Sequence, residues 1–129
     1  MFKNNYVDNN AFVINKLKEN NVLILGKLNM SEWAYYFCRP CPVGYSSLGG
    51  QTLNPYGRKK FESGGSSSGS GVAMAANFAV AAVGSETSGS ILSPSSANSI
   101  VGLKPSIGLV SRSGIVPISS TLDTAGPMT

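Results

Sequence analysis

Two loops rich in glycine and serine dominate the middle of the chain, Gly64-Gly65-Ser66-Ser67-Ser68-Gly69-Ser70-Gly71 and Gly84-Ser85-Glu86-Thr87-Ser88-Gly89-Ser90. Between them, residues 72–83 are small and apolar. This composition predicts an Ala-rich helix over 70–77 and a buried strand over 79–83. A flexible linker would not lie between such apolar elements, and two linkers would not flank one helix–strand unit. The pattern therefore indicates two ordered loops at the ends of buried elements.

These loops carry serines that cannot use an imidazole base, because the chain contains no histidine. A serine nucleophile can instead be activated by a lysine that burial keeps neutral, with a second serine relaying the proton. The turn Thr87-Ser88-Gly89-Ser90 can point successive backbone amides at one place, as an oxyanion hole requires. Phosphate binding is disfavoured, since no lysine follows the glycines and the dinucleotide-binding spacing is absent.

Composition limits the classes of protein that this chain can form. Its 129 residues are 42% hydrophobic but only 12% charged, against about 25% in typical soluble domains. The low charged fraction and the abrupt end at residues 126–129, where neither a helix nor a strand is predicted, together predict a piece of a larger domain. The net charge is +4, but the basic cluster Arg58-Lys59-Lys60 is too small for a nucleic-acid surface. No signal segment or membrane-length apolar run is visible, so we expect a cytoplasmic protein without membrane partners.

The two cysteines form a Cys38-Arg39-Pro40-Cys41 motif. A zinc site would need two more ligands, and the chain has no further cysteine and no histidine. A redox pair would need the motif at a strand-to-helix junction, whereas this one lies in a loop. Thiols without a metal or redox role are favoured over a redox pair.

Apolar periodicity outlines the rest of the fold. Residues 11–20 predict a short amphipathic helix, and Val22 to Leu25 predict a buried strand. Met30 to Tyr36 predict one or two helical turns that begin at Asn29 or Ser31, followed by a long irregular connection over 37–65. After Ser90, short apolar pieces alternate with glycine and proline. Together these elements predict an α/β architecture, a mixed sheet flanked by helices.

The order of these motifs resembles the amidase signature family. The resemblance rests on Gly64-Gly65-Ser66-Ser67-Ser68-Gly69-Ser70, Gly84-Ser85-Glu86-Thr87-Ser88-Gly89-Ser90-Ile91 and Val101-Gly102-Leu103-Lys104-Pro105. The flanking segments 26–34, 49–56, 108–119 and 123–128 are similar to its peptide amidase branch. The resemblance covers the chain from about residue 10 onward and implies a single partial amidase domain over 1–129, the central part of the family's α/β fold, truncated at both ends.

The resemblance also implies roles for particular residues. Ser90 would be the nucleophile that forms the acyl-enzyme, and Ser66, 24 positions earlier, would be the bridging serine that follows a cis Gly65–Ser66 bond. The amides of Thr87, Ser88 and Gly89, with that of Ser90, would bind the oxyanion. Ser67 would support the pair by hydrogen bonding. Neither a metal nor a cofactor is implied.

Two departures from the family pattern bear on activity. The third catalytic residue of the family is a lysine in a G-x-P-x-x-x-K-[DE]-N segment, upstream of the motif that contains Lys27. That segment is absent here, so Lys27 is not the catalytic lysine and the isolated chain is expected to be inactive. Leu92 stands where relatives with carboxylate-bearing substrates have arginine, which favours a neutral primary or peptide-like amide.

The expected activity is hydrolysis of such an amide to an acid and ammonia by a Ser-Ser-Lys triad. Two alternatives stay open: a truncated, non-catalytic remnant, and a protein like the A subunit of the amidotransferase that makes glutaminyl-tRNA. The expected partners are a small-molecule or peptide amide and the missing remainder of the amidase domain.

Overall fold

An antiparallel pair of strands, β3 (Ala82–Glu86) and β4 (Thr124–Met128), lies at the centre of the computed structural model, which describes residues 6–38 and 40–129. The pairing runs from Ala82 opposite Met128 to Glu86 opposite Thr124. Helix α2 (Ser68–Ala75) packs on both strands and against helix α3 (Leu92–Ala97). The predicted α/β class is confirmed, and the strand predicted at 79–83 begins and ends three residues later.

Outside this centre the elements are short. Helix α1 (Phe12–Glu19) confirms the amphipathic pattern, and a 3₁₀ turn (Glu32–Tyr35) follows Ser31 as expected. The irregular connection contains one small antiparallel hairpin, β1 (Tyr45–Ser46) and β2 (Gly50–Gln51). Asn29 joins this hairpin to the centre: its Nδ2 donates to the Gly50 carbonyl (3.1 Å), and its own carbonyl accepts the Gly69 amide at the start of α2 (2.9 Å).

The apolar core is small, and serine fills much of the remaining interior. Five of the buried apolar side chains form one cluster: Ala73, Met74, Ala82, Ile91 and Met128. The polar residues buried around them include Ser66, Ser67, Ser68, Ser70, Ser95, Asn54 and Asn98. Short side chains let the backbones approach closely. A Cβ on Gly69 would lie 2.6 Å from the Asn29 nitrogen, and one on Gly71 would lie 3.0 Å from the Pro94 oxygen.

The strand predicted over Val22 to Leu25 is not formed. The whole run is exposed, with 80% of the Leu23 surface accessible, and none of its residues forms a strand. A strand needs a neighbouring strand to accept and donate its backbone hydrogen bonds, and no strand of the described residues pairs with this run. The prediction of a buried strand here is therefore wrong for this structure.

Two elements were not expected from the sequence. Strand β4 occupies the end segment, where neither helix nor strand was predicted, and that expectation is wrong. Helix α3 contains Pro94 as its third residue. In the first turn of a helix the amide has no intrahelical acceptor, so a proline there costs no hydrogen bond.

The remaining features concern the cysteines, metals and membranes. Cys38 and Cys41 are joined as a disulfide, so the expectation of free thiols is wrong. Within 6–38 and 40–129, no group of three or more Cys, Asp, Glu or His side chains is placed to hold a metal ion. No helix in the same ranges is long and apolar enough to cross a bilayer.

Candidate active site

The two glycine- and serine-rich loops meet at the amino end of α2. The Ser67 amide donates to the Ser90 carbonyl at 3.1 Å, which holds the Ser66–Ser67 segment beside Ser90. On the other side, the Ser66 carbonyl accepts the Ser31 amide at 3.0 Å. Ser66 is 1% exposed, and the Gly65–Ser66 peptide bond is cis. The backbone therefore brings the candidate bridging serine and the candidate nucleophile together.

Side chains at the start of α2 attach this helix to β3. The Ser67 hydroxyl accepts the Ser85 amide and donates to the Ser85 carbonyl, both at 3.1 Å. Further along, the Ser70 hydroxyl donates to the Val83 carbonyl at 3.0 Å. Ser67 thus contacts the site through its backbone, while its side chain fixes the spacing between the loops.

Glycines and a tyrosine shape the first loop. Gly64 has a φ of +63°, and a Cβ there would lie 2.7 Å from the Pro94 nitrogen. A Cβ on Gly65 would lie 2.6 Å from the Ser31 Oγ, and this oxygen donates to the Tyr35 hydroxyl at 3.0 Å. The loop has no room for side chains at these two positions. Neither Ser31 nor Tyr35 was proposed as a site residue from the sequence, because contacts across such a distance in the chain leave no local pattern.

The second loop presents backbone amides that no other backbone group uses. Gly89 adopts a φ of +83°, and its carbonyl accepts the Ser93 amide at 2.7 Å as α3 begins. In residues 6–38 and 40–129, no hydrogen bond is donated by the amides of Ser88, Gly89 or Ser90. Unpaired amides on adjacent residues are what an oxyanion hole requires.

Glu86 fixes the far end of this loop. Its side chain is 4% exposed, and its Oε2 accepts the amides of Ile91 (2.7 Å) and Leu92 (2.9 Å). A carboxylate at the amino end of a helix is stabilised by the free amides there. Glu86 was not proposed as a site residue from the sequence. Its role depends on where α3 begins, and the sequence did not predict that helix.

Asp123, the residue before β4, contacts the same loop. Its Oδ1 accepts the Thr87 hydroxyl at 2.5 Å, and its Oδ2 accepts the amides of Ile118 (2.7 Å) and Ser119 (2.8 Å). Partial burial acts to raise the pKa of Asp123. The hydrogen bonds from Thr87, Ile118 and Ser119 and the positive charge of Arg112 outweigh it, so the pKa lies below its ordinary 3.8.

A cavity of about 380 Å³ lies beside Thr87 and Asp123. The apolar side chains of Ile115, Val116 and Ile118 form part of its wall, and Arg112 and Glu86 are the other charged residues that line it. Arg112 is held in the wall by hydrogen bonds from its Nη1 to the carbonyls of Ser119 (3.3 Å) and Ser120 (2.7 Å).

The structure does not join the candidate catalytic side chains by hydrogen bonds. In the described part of the chain, no hydrogen bond joins the Ser66 and Ser90 side chains, and no lysine donates to either serine. Ser88 is exposed, and Lys27 lies on the exposed segment that precedes Asn29.

Comparison with known proteins places this chain in a family. A model of the amidase family matches residues 1–129. A probable amidase of Arabidopsis thaliana is 48% identical over 122 residues, which are 95% of this chain and 24% of that protein. The match over the whole chain shows that it belongs to the amidase family.

Solved structures and a further relative show which amidases the chain is similar to. The chain is similar to the native peptide amidase of Stenotrophomonas maltophilia, with 52% identity and a TM-score of 0.89 over 92% of this chain and 24% of that one. It is also similar to an amidase family protein of Bacillus anthracis, with 54% identity and a TM-score of 0.94 over 98% of this chain and 25% of that one. In Desulforudis audaxviator, the A subunit of the glutamyl-tRNA(Gln) amidotransferase is 44% identical over 92% of this chain and 23% of that protein. The chain thus spans about a quarter of the length of the relatives that it matches.

Proposed function

We propose that this chain carries the serine pair and the oxyanion loop of an amide hydrolase. Ser90 is the nucleophile, Ser66 is the bridging serine, and the amides of Thr87, Ser88, Gly89 and Ser90 stabilise the oxyanion. The observation that carries the proposal is the position of Ser90. Its carbonyl accepts the Ser67 amide, and Ser90 directly follows Ser88 and Gly89, whose amides donate no hydrogen bond among the described residues.

In the proposed reaction, the Ser90 Oγ attacks the carbonyl carbon of an amide and its proton passes through the Ser66 hydroxyl to a lysine. The C–N bond then breaks, and the departing nitrogen takes this proton to leave as ammonia. Water attacks the remaining ester, which releases the acid and restores the Ser90 hydroxyl. No lysine in residues 6–38 and 40–129 donates a hydrogen bond to either serine, so the proposal assigns this role to none of the described lysines.

The proposed substrate is a neutral primary or peptide-like amide. Leu92, two residues after the nucleophile, is 47% exposed and has no charge that could pair with a substrate carboxylate. The similarity to a peptide amidase favours the same class. For that reason an amidotransferase role, the activity for which the Desulforudis audaxviator relative is named, is the second choice. The reaction needs neither a metal nor a cofactor, and we propose a cytoplasmic location.

Labelling with a fluorophosphonate tests this proposal. The serine oxygen attacks phosphorus and displaces fluoride, so intact mass reports one adduct per reactive serine. Because no described lysine contacts either serine, we expect the adduct only when the remainder of the amidase domain is supplied with this chain. We expect that adduct to be lost in Ser90→Ala and kept in Ser88→Ala, a matched change in the same loop. An adduct that survives in Ser90→Ala would contradict the assignment of the nucleophile. No adduct on the wild-type chain in the presence of that remainder would favour the non-catalytic remnant.

A further inference from the structure

We propose that Asp123 is a positioning residue that holds the oxyanion loop in place through the Thr87 side chain. This inference rests on the proposed function, because the loop residues 87–90 are an oxyanion hole only if Ser90 is the nucleophile. It assigns a role to a residue that neither contacts Ser90 nor belongs to the two serine-rich loops.

The register of the central strands brings Asp123 and Thr87 together. Glu86, the last residue of β3, pairs with Thr124, the first residue of β4. The next residue of one strand therefore faces the preceding residue of the other, and these are Thr87 and Asp123. Their hydrogen bond, at 2.5 Å, continues the contact between the strands into the loop with side chains.

The Asp123 carboxylate is itself held on its other side. Its second oxygen accepts the amides of Ile118 and Ser119, and the Asp123 amide donates to the Ser119 carbonyl at 3.2 Å. Arg112 donates to the carbonyls of Ser119 and Ser120, which closes the turn from the outside. Thr87 is thus bound to an anchored group.

This contact changes the role of Thr87. A threonine hydroxyl has one proton to donate, and Asp123 accepts it. The hydroxyl is then no donor to a substrate oxygen, so the oxyanion is left to the backbone amides. The Asp123 contact orients Thr87, and the residues that carry these amides, 88–90, come directly after it in the chain. Displacement of such a group by about 1 Å can cost a hundredfold in rate.

The contact persists at neutral and mildly acidic pH. A carboxyl with a lower pKa in the folded protein than in the unfolded chain stabilises the folded state above the unfolded-state pKa. The contribution is lost as the pH falls through the folded-state pKa. Because the pKa of Asp123 lies below 3.8, its carboxyl group is ionised at pH 7, where the test below is made. The charged neighbours that line the same cavity are Arg112 and Glu86.

The test compares two substitutions of Thr87 by NMR relaxation of the ¹⁵N-labelled chain at pH 7. Thr87→Ser keeps the hydroxyl, whereas Thr87→Val keeps the shape and removes the donor. We expect backbone order parameters at residues 88–90 to stay near about 0.85 in wild type and Thr87→Ser and to fall below about 0.6 in Thr87→Val. Asp123→Asn should lower them in the same way. The side-chain amide has only one oxygen that accepts hydrogen bonds, whereas both carboxylate oxygens of Asp123 do so. Asp8→Asn, at an exposed aspartate, is the matched control and should change nothing.

A second readout separates positioning from general structural damage. With the remainder of the amidase domain supplied, the rate of fluorophosphonate labelling at Ser90 should fall at least about tenfold in Thr87→Val and Asp123→Asn, with the concentration for half-maximal rate unchanged. In the double variant the losses should not add, since both remove one contact. Order parameters that stay at the wild-type value in Thr87→Val would overturn the proposal, even if Asp123→Asn fails to fold. A wild-type chain that does not label in the presence of that remainder would count against the proposed function, while the order parameters would still decide the role of Asp123.

Discussion

Replacing Gly69 with alanine should destabilise the fold, because the new methyl group would meet backbone and not a movable side chain. The Cβ would lie 2.6 Å from the Asn29 nitrogen and 3.1 Å from its carbonyl carbon. Relief requires α2 to move away from Asn29, which breaks the 2.9 Å bond from the Gly69 amide to the Asn29 carbonyl. Overpacking costs about 1–3 kcal/mol and the lost bond about 1 kcal/mol. Alanine's helix propensity returns about 1 kcal/mol.

The expected net loss in the free energy of unfolding is therefore about 1–3 kcal/mol. Urea unfolding followed by circular dichroism measures it, with the slope of the transition unchanged. Gly26→Ala is the matched control, since a Cβ at Gly26 has nothing within 4 Å. It should be neutral or stabilise by up to about 1 kcal/mol through the unfolded chain. A Gly69→Ala protein within about 0.5 kcal/mol of wild type would refute the close approach of α2 to Asn29.

Two further substitutions test buried polar groups. Glu86→Ala should cost about 1–3 kcal/mol in unfolding free energy, because it leaves the buried Ile91 amide without an acceptor. Glu86→Gln should cost less than half as much, since one oxygen accepts both bonds, from Ile91 and Leu92; equal losses in thermal melts would contradict this. Asn54 is 1% exposed, and its Nδ2 donates to the carbonyls of Glu62 and Ala97. Asn54→Asp should therefore be more destabilising than Asn54→Ala in urea titrations, because a carboxylate would face two carbonyl oxygens; the reverse order would show that those contacts are absent.

Local pattern predicted the elements whose hydrogen bonds are internal. Helices α1 and α2 appear where periodicity and small side chains indicated them, because a helix satisfies its own backbone. The run Val22 to Leu25 has equally strong strand composition, but a strand depends on a neighbour that composition does not reveal. Strand β4 was missed for the converse reason: Gly126 and Pro127 disfavour a strand, yet β3 lies alongside to pair with it.

The same distinction applies to the site. The composition of the turn 87–90 indicated an oxyanion hole, and resemblance to a family supplied the roles of Ser66 and Ser90, because these residues lie within short motifs. Glu86 was present in a quoted motif, but its role depends on where α3 begins, and Pro94 concealed that helix. Asp123 acts on a loop 36 residues away in sequence. Only the pairing of β3 with β4 makes that contact visible.

The serine-filled interior has a consequence for how this chain responds to temperature. Unfolding a protein raises its heat capacity mainly through newly hydrated apolar surface, while newly hydrated polar surface lowers it. Here the buried apolar cluster consists of five side chains, of which Ala73 and Ala82 contribute only a methyl group each, and hydroxyl and amide groups occupy much of the remaining interior. The heat-capacity change per residue should accordingly be small, so the stability of this chain should vary gently between cold and warm conditions.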